Sequence, residues 1–320
     1  MVVFGPVPSR RLGLSLGVNN VYDKHCTYSC VYCQVGRTTN LSVRRREYYE
    51  PDALVDEVVR AVRERAPEVI TFVPNGEPTL DANLGLEARG IKEKVFQPLA
   101  IMSNGSLLWR EDVVGDLLLF DIVSVKVDTV WEKTWRRLNR PHPFLRLDDI
   151  LEGIILFSRR YSGNLISEHM LVEGLNSNRE EAKDLASYME EVSPRAAYIT
   201  LPLRPPAEAW VKPPSRGVVE VFKEALSSSL GPDRVYVLGG LERGPPKVEG
   251  DPVAEILKIL EVHPLRMDQL EALCSTMGLE PSSMLRELRD RGVDVEVFLG
   301  RKFLVLRRRK FSPRSSRPSP

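Results

Sequence analysis

The sequence has few cysteines, few histidines, few aromatic residues and almost no net charge. Only 4 cysteines and 4 histidines occur in 320 residues, and Phe, Trp and Tyr together make up 7%. Cysteines this sparse exclude a disulfide scaffold, and a chain of this length can build a core without staples. Lys plus Arg is 45 and Asp plus Glu is 44, a formal charge of +1, so no global field points to a polyanion or a membrane surface. No run approaches the ~20 apolar residues that span a bilayer. The opening MVVFGPVPSRR puts its arginines after an apolar stretch, the reverse of a signal peptide. These absences predict a cytoplasmic protein with no membrane contact. What is present is a composition with 42% hydrophobic and 28% charged residues, suited to a real core, and one cluster. Cys26, Cys30 and Cys33 fall within eight residues, and Cys274 stands alone.

From residue 50 to about 230, amphipathic segments alternate with short apolar runs. Pro51 to Ala66 carries Leu54, Val55, Val58, Val59 and Val62 at helical spacing, with a proline suited to a first turn. The β-branched run Val69 to Val73 follows. The apolar runs Leu99 to Met102, Ile122 to Val127, Leu165 to Val172 and Ala196 to Leu201 alternate with helical segments ending at Val218 to Leu230. With an early strand at Leu14 to Val21, about six β/α units result, which implies parallel strands covered by helices. No G-x-G-x-x-G opens the first unit, so the expected fold class is α/β, a partial (β/α)6 TIM-like barrel rather than an open dinucleotide-binding sheet. Residues 1–238 are expected to form this barrel and the Gly/Pro-rich residues 239–252 a linker.

Residues 253–306 have a different texture. Val253, Ile256, Leu257 and Leu260 give one helical face, and Leu270, Leu273, Cys274 and Met277 a second. Ser282 or Ser283 could cap a third helix. Val293, Val295 and Val297 then alternate, and Gly300 turns the chain toward Phe303 to Leu306. Three short helices and a hairpin resemble a winged helix. Cys274 reads as a core residue. Residues 251–320 hold 13 basic and 10 acidic side chains, and the final RRRKFSPRSSRPSP, residues 307–320, reads as a basic disordered tail.

Cys26-Thr-Tyr-Ser-Cys30-Val-Tyr-Cys33 is C-x3-C-x2-C. Thiolates suit zinc and iron–sulfur clusters, and three on one loop can hold three irons of a cubane and leave the fourth open. A structural zinc site would want a fourth ligand, for which adjacent His25 is poorly placed and Cys274 remote. A redox-sensing cluster without catalysis would use cysteines too.

With an aromatic residue, Tyr32, before the last cysteine, this spacing resembles the signature of the radical S-adenosylmethionine (SAM) superfamily. The resemblance implies a 4Fe-4S cluster held by Cys26, Cys30 and Cys33, whose open iron chelates the methionine part of SAM. Reductive cleavage would then give a 5′-deoxyadenosyl radical that abstracts hydrogen from a substrate. It also implies an electron donor such as ferredoxin or flavodoxin. Pro74-Asn75-Gly76-Glu77-Pro78 resembles the family's GGEP motif, with Asn75 in place of the first glycine, and this implies that Asn75, Gly76 and Glu77 bind the methionine part of SAM at its ammonium group. Ser103 and Asn104, after the third apolar run, could reach the ribose or carboxylate. Lys126 and Asp128 alternate with apolar neighbours and should face the barrel interior. There they would meet the SAM carboxylate and ribose, or pair with each other. Met170 to Asn176 resembles the family's fifth-strand motif, and Arg204 is a candidate substrate contact.

The resemblance covers roughly residues 5–230 and is distantly similar to the radical enzymes of tRNA wyosine synthesis, which carry a second cluster. This chain has too few cysteines for that. The expected function is a radical SAM oxidoreductase or transferase acting on an unidentified substrate, with tRNA and a protein as the candidates. The alternative is an iron–sulfur redox regulator that binds nucleic acid through its winged helix. Arg286, Arg289, Arg291, Arg301 and Lys302 lie where a winged helix would present them.

Overall fold

The computed structural model describes residues 2–242 and 244–306. The expected basic tail at 307–320 lies outside the described residues. The chain begins with an antiparallel hairpin, β1 (Val3–Ser9) and β2 (Gly13–Val18). A short parallel pair follows, β3 (His25–Cys26) and β4 (Asn40–Leu41), bracketing the cysteine loop. Then come α1 (Pro51–Arg65), β5 (Val69–Phe72), α2 (Leu84–Lys94), β6 (Leu99–Ser103), α3 (Glu111–Leu117) and β7 (Ile122–Lys126). The series continues with α4 (Glu132–Leu138), α5 (Leu147–Arg160), β8 (Asn164–Met170), α6 (Arg179–Val192), β9 (Ala196–Thr200), α7 (Arg216–Leu230) and β10 (Val235–Leu238). The eight-stranded sheet has the order β1-β2-β5-β6-β7-β8-β9-β10, parallel from β2 onward. This is the expected partial TIM-like α/β fold, with seven parallel strands instead of six.

Strands β1 and β10 and helix α4 escaped the sequence reading. β1 contains Pro6 and Pro8, which argue against a strand, but proline is tolerated at a sheet edge, and β1 lies at one. Helix α1 follows its pattern closely: Leu54, Val55, Val58, Val59 and Val62 are all buried. Each such side chain contributes about 1.5–3 kcal/mol relative to exposure.

Beyond the sheet, α8 (Pro252–Val262), β11 (Leu265–Arg266), α9 (Met267–Met277), α10 (Pro281–Asp290), β12 (Val293–Phe298) and β13 (Arg301–Leu306) build a second unit. Its sheet runs β11-β13-β12, antiparallel, over a separate core that includes Ile256, Leu270, Leu288 and Leu304. Cys274 is buried in that core. Helix α10 is capped by Glu280, which accepts from the Ser283 backbone, rather than by Ser282 or Ser283.

The two units are joined closely. Phe4 packs with Ile259 and Val262, and Arg65 pairs with Glu255 at 3.0 Å. The residues expected to be a linker lie docked. Lys247 donates its backbone N–H to Pro6 O at 2.9 Å, and Gln269 Nε2 donates to Gly244 O at 2.9 Å. Glu242 faces Arg10 and Arg204. Arg10 Nη1 also donates to Leu238 O at 3.0 Å, so the turn of the first hairpin reaches the end of the last strand across the open side of the sheet.

Candidate active site

A cleft of about 370 Å³ opens inside the curve of the sheet, and the second unit forms part of its wall. Its barrel-side lining includes Cys26, Cys30 and Cys33, so one cavity wall carries all three cysteines. Strand residues with polar side chains also line it, among them Ser15, Thr71, Ser103, Ser124, Glu168 and Thr200. The second unit adds Val262, His263, Leu265 and Gln269.

The cysteine loop is fixed from outside the cleft. Val31 N–H donates to Leu138 O at 2.9 Å and Ser29 N–H to Asn139 O at 3.0 Å, anchoring it on the end of α4. Each sulfur has an N–H donor nearby. Lys24 Nζ lies 3.1 Å from Cys33 Sγ, Asn139 Nδ2 3.5 Å from Cys30 Sγ, and Asn104 Nδ2 3.8 Å from Cys26 Sγ. Burial pushes the Cys30 thiol up to about 12, with Asp128 adding to it, and pushes Cys26 higher still, with Glu77 adding. Without metal both are thiols, and metal insertion must displace their protons. Donors at the sulfurs and a water-poor surrounding suit an iron–sulfur cluster.

A mononuclear zinc site fits less well. Among the described residues, no three of His, Cys, Asp and Glu converge where a single ion could sit. His25 is occupied elsewhere: its Nδ1 lies 2.9 Å from Tyr22 O, and its ring packs edge-on against Tyr48.

The loop after β5 reaches the cleft through Gly76 and Glu77, whereas Asn75 does not line it. Gly76 is required by close approach, because a Cβ there would sit 1.9 Å from His25 O. Glu77 N–H donates to that same carbonyl at 2.9 Å, so this loop and the start of the cysteine loop are laced together. The Glu77 side chain is buried and its oxygens accept four bonds: from Thr79 N, Thr79 Oγ1 and Ser103 Oγ on Oε1, and from Asn104 N on Oε2. Burial raises its pKa, and these bonds oppose the rise. Ser103 and Asn104 line the cleft, yet both also hold this scaffold: Asn104 Nδ2 donates to Thr27 Oγ1 at 2.7 Å.

At the end of β7, Lys126 lines the cleft and Asp128 does not. Asp128 is buried, accepting from Met170 N at 2.8 Å, Asn139 Nδ2 at 2.8 Å and the Tyr32 hydroxyl. It therefore holds Tyr32 and the cysteine loop in place. Lys126 instead lies 3.9 Å from Glu168, its register neighbour on β8, and its ammonium stands over the Tyr32 ring, 5.4 Å from the centroid. Glu168 also pairs with Arg11 at 3.3 Å, and these cations hold its carboxyl below the usual range against the opposing effect of burial. Tyr32 lines the cleft, and Asn176 is tied to Asp128 O and Met170 O. Arg204 lines the cleft and is engaged by Glu242.

Arg10, Arg11, Glu168, Glu242 and His263 were not singled out as site residues from the sequence. Glu168 had a signal, an acidic residue within an otherwise buried strand, where an unpaired charge is costly. Glu242 lay in a stretch whose composition gives no such signal.

A profile of the Radical SAM superfamily matches residues 23–188. The span holds the cysteine loop and the parallel strands β5, β6, β7 and β8 with the helices between them, and the chain belongs to this superfamily. Its cofactors are accordingly a 4Fe-4S cluster and SAM. A UPF0026 protein of Methanocaldococcus jannaschii is 42% identical over 281 residues, 87% of each chain. Among solved structures, Streptococcus suis SuiB bound to precursor peptide SuiA superposes with a TM-score of 0.52 at 13% identity. That match covers 68% of this chain and 48% of SuiB. TYW1 with a lysine–pyruvate adduct bound gives 0.50 at 13% identity, over 67% of this chain and 73% of the other. At these identities the likeness is one of fold.

With the cluster on Cys26, Cys30 and Cys33, as the spacing implies, Lys24 offers a test of its surroundings. A cation donating to a cluster sulfur favours the reduced, more negative state, by about 1.5–3 kcal/mol for a charged hydrogen bond. Lys24→Met is expected to lower the midpoint potential by roughly 60–130 mV for one electron. A redox titration followed by electron paramagnetic resonance reads this directly, and an unchanged potential would remove Lys24 from the cluster's surroundings.

Proposed function

We propose that this chain is a radical SAM enzyme whose cluster is held by Cys26, Cys30 and Cys33 and whose SAM lies in the cleft beside Glu77 and Lys126. The observation that carries the reading is that three cysteines from one loop and the buried Glu77 from the next strand end line one cavity. When bound, the cofactors would supply one-electron, radical chemistry at the sulfonium centre of SAM. The protein's part is to bind, orient and exclude water. Glu77, pre-set by Ser103, Thr79 and Asn104, would receive the ammonium of SAM. Lys126 would take the carboxylate, and Gly76 would let its loop lie against the cysteine loop. Tyr32, fixed by Asp128 and Asn139, would set the angle of that loop.

In this reading the protein works in the cytoplasm with a ferredoxin- or flavodoxin-like donor. No helix among the described residues is long and apolar enough to cross a membrane. The second unit has the element order helix–strand–helix–helix–strand–strand, which supports a winged helix. Its basic α10 residues Arg286 and Arg289 are exposed, and an RNA or a protein substrate would meet it there. Anaerobic reconstitution should give four irons per chain, and dithionite with SAM should release 5′-deoxyadenosine. A fully loaded, reduced protein that leaves SAM intact would overturn the proposal.

A further inference from the structure

The charges in the cleft do not balance locally. Among the described residues lining it, Arg10, Arg11, Lys126 and Arg204 face Glu77, Glu168 and Glu242. Glu77 is satisfied by neutral donors of its own loop and its neighbours. The rest form two triads. Glu168 lies between Arg11, at 3.3 Å, and Lys126, at 3.9 Å. Glu242 lies between Arg10, at 3.3 Å, and Arg204. Each triad has two cations for one carboxylate, with every member at most a quarter exposed. Surplus charge in such a place is costly unless a counter-ion joins it. Two guanidinium nitrogens, Arg11 Nε and Arg204 Nε, are also buried without a hydrogen-bond partner.

Lys126 stands over Tyr32 of the cysteine loop, so the Glu168 triad adjoins the position proposed for the cofactor. In that reading the carboxylate of SAM would balance this triad. The Glu242 triad is left over. It sits where the first hairpin meets the end of β10 and faces the second unit: Arg266 Nη1 donates to Glu242 O at 2.8 Å. His263, beside it in the cleft wall, is held neutral, its pKa lowered to about 4 by burial and then by Arg204. The Glu242 triad thus keeps one surplus positive charge, with Arg204 Nε buried and unpartnered beside it.

We propose that the substrate carries an oxyanion, a carboxylate or a phosphate, and that Arg10 and Arg204 receive it beside Glu242. This rests on reading the cleft as the site of SAM and substrate. Glu242 acts as a spacer that keeps the two guanidinium groups together and competes with the incoming anion.

The test uses reconstituted holoprotein under anaerobic conditions with saturating SAM, titrated calorimetrically with inorganic phosphate and, separately, with acetate. Arg204→Gln should weaken binding about tenfold, the loss of one charge-assisted contact. Glu242→Gln should tighten it several-fold, a sign that general structural damage would not produce. Binding in the phosphate arm alone identifies a phosphate substrate, in the acetate arm alone a carboxylate, and in both arms an oxyanion site of broad tolerance. Three results overturn the proposal: no binding in either arm, weaker binding in Glu242→Gln, or displacement of SAM by the anion. An unaltered affinity in a folded Arg204→Gln protein does so too. Release of 5′-deoxyadenosine from the same sample is scored separately, so failure of SAM cleavage indicts the proposed function and leaves the anion result readable.

Discussion

Cys30→Ala is expected to reduce the iron content from four per chain to less than one and to abolish SAM cleavage. Three thiolates from one loop are the fewest protein ligands that hold a cubane with one open iron, so removing any of them leaves two irons without protein contact. Cys30 is the most informative of the three because its surroundings are already complete without metal. Its neighbour Asn139 also bonds Asp128 and Tyr32, and Val31 is pinned to Leu138. The alanine variant should therefore keep its fold, read as an unchanged circular dichroism spectrum, while losing the cluster absorbance. A variant that retains four irons would refute the ligand assignment.

Glu77→Gln is expected to weaken SAM binding about 100-fold while the iron content holds. Removing a buried carboxylate from an ammonium partner costs about 2–5 kcal/mol, and 100-fold is roughly 2.7 kcal/mol. The amide also places either an N–H₂ group against donors that now point at Oε1 and Oε2, or an oxygen with less charge. A small loss of thermal stability should accompany the change, about 1–3 kcal/mol. Because burial raises the Glu77 pKa, wild-type affinity should fall on acidification from a pH above the ordinary carboxylate range, as the carboxylate proposed to receive the ammonium takes up a proton. Equilibrium binding of SAM across pH to both proteins checks both statements, and a flat profile in the wild type would separate Glu77 from the cofactor.

Much of the barrel was legible because its parallel strands are buried on both faces and so read as continuous β-branched runs, such as Val69 to Phe72. The cysteine loop was legible because its spacing is local. What depended on register was not. Lys126 meets Glu168 only because β7 and β8 pair with those two residues side by side, and a shift of one residue would turn one of them out of the cleft. Asp128 sits two residues beyond Lys126, which predicts the same face, yet the strand ends at Lys126 and the alternation ends with it. The docking of residues 239–252 was hidden because glycine and proline content speaks to backbone freedom and says nothing about the partners that remove it. Arg10 and Glu242 are far apart in sequence and meet only once the sheet has curled.

That last contact sets an order of events. Arg10 bonds Leu238 O across 228 positions of sequence, and its carboxylate partner lies four residues further on. On a ribosome the first hairpin emerges early, but nothing exists for its turn to clasp until nearly the whole barrel has been translated. Contacts between such distant positions are among the slowest to form. The open side of the barrel, between β1 and β10, thus stays unfastened while the cysteine loop, synthesised near the beginning, already has its α4 anchor to dock on. Maturation of this protein has a built-in interval in which the nascent chain is open.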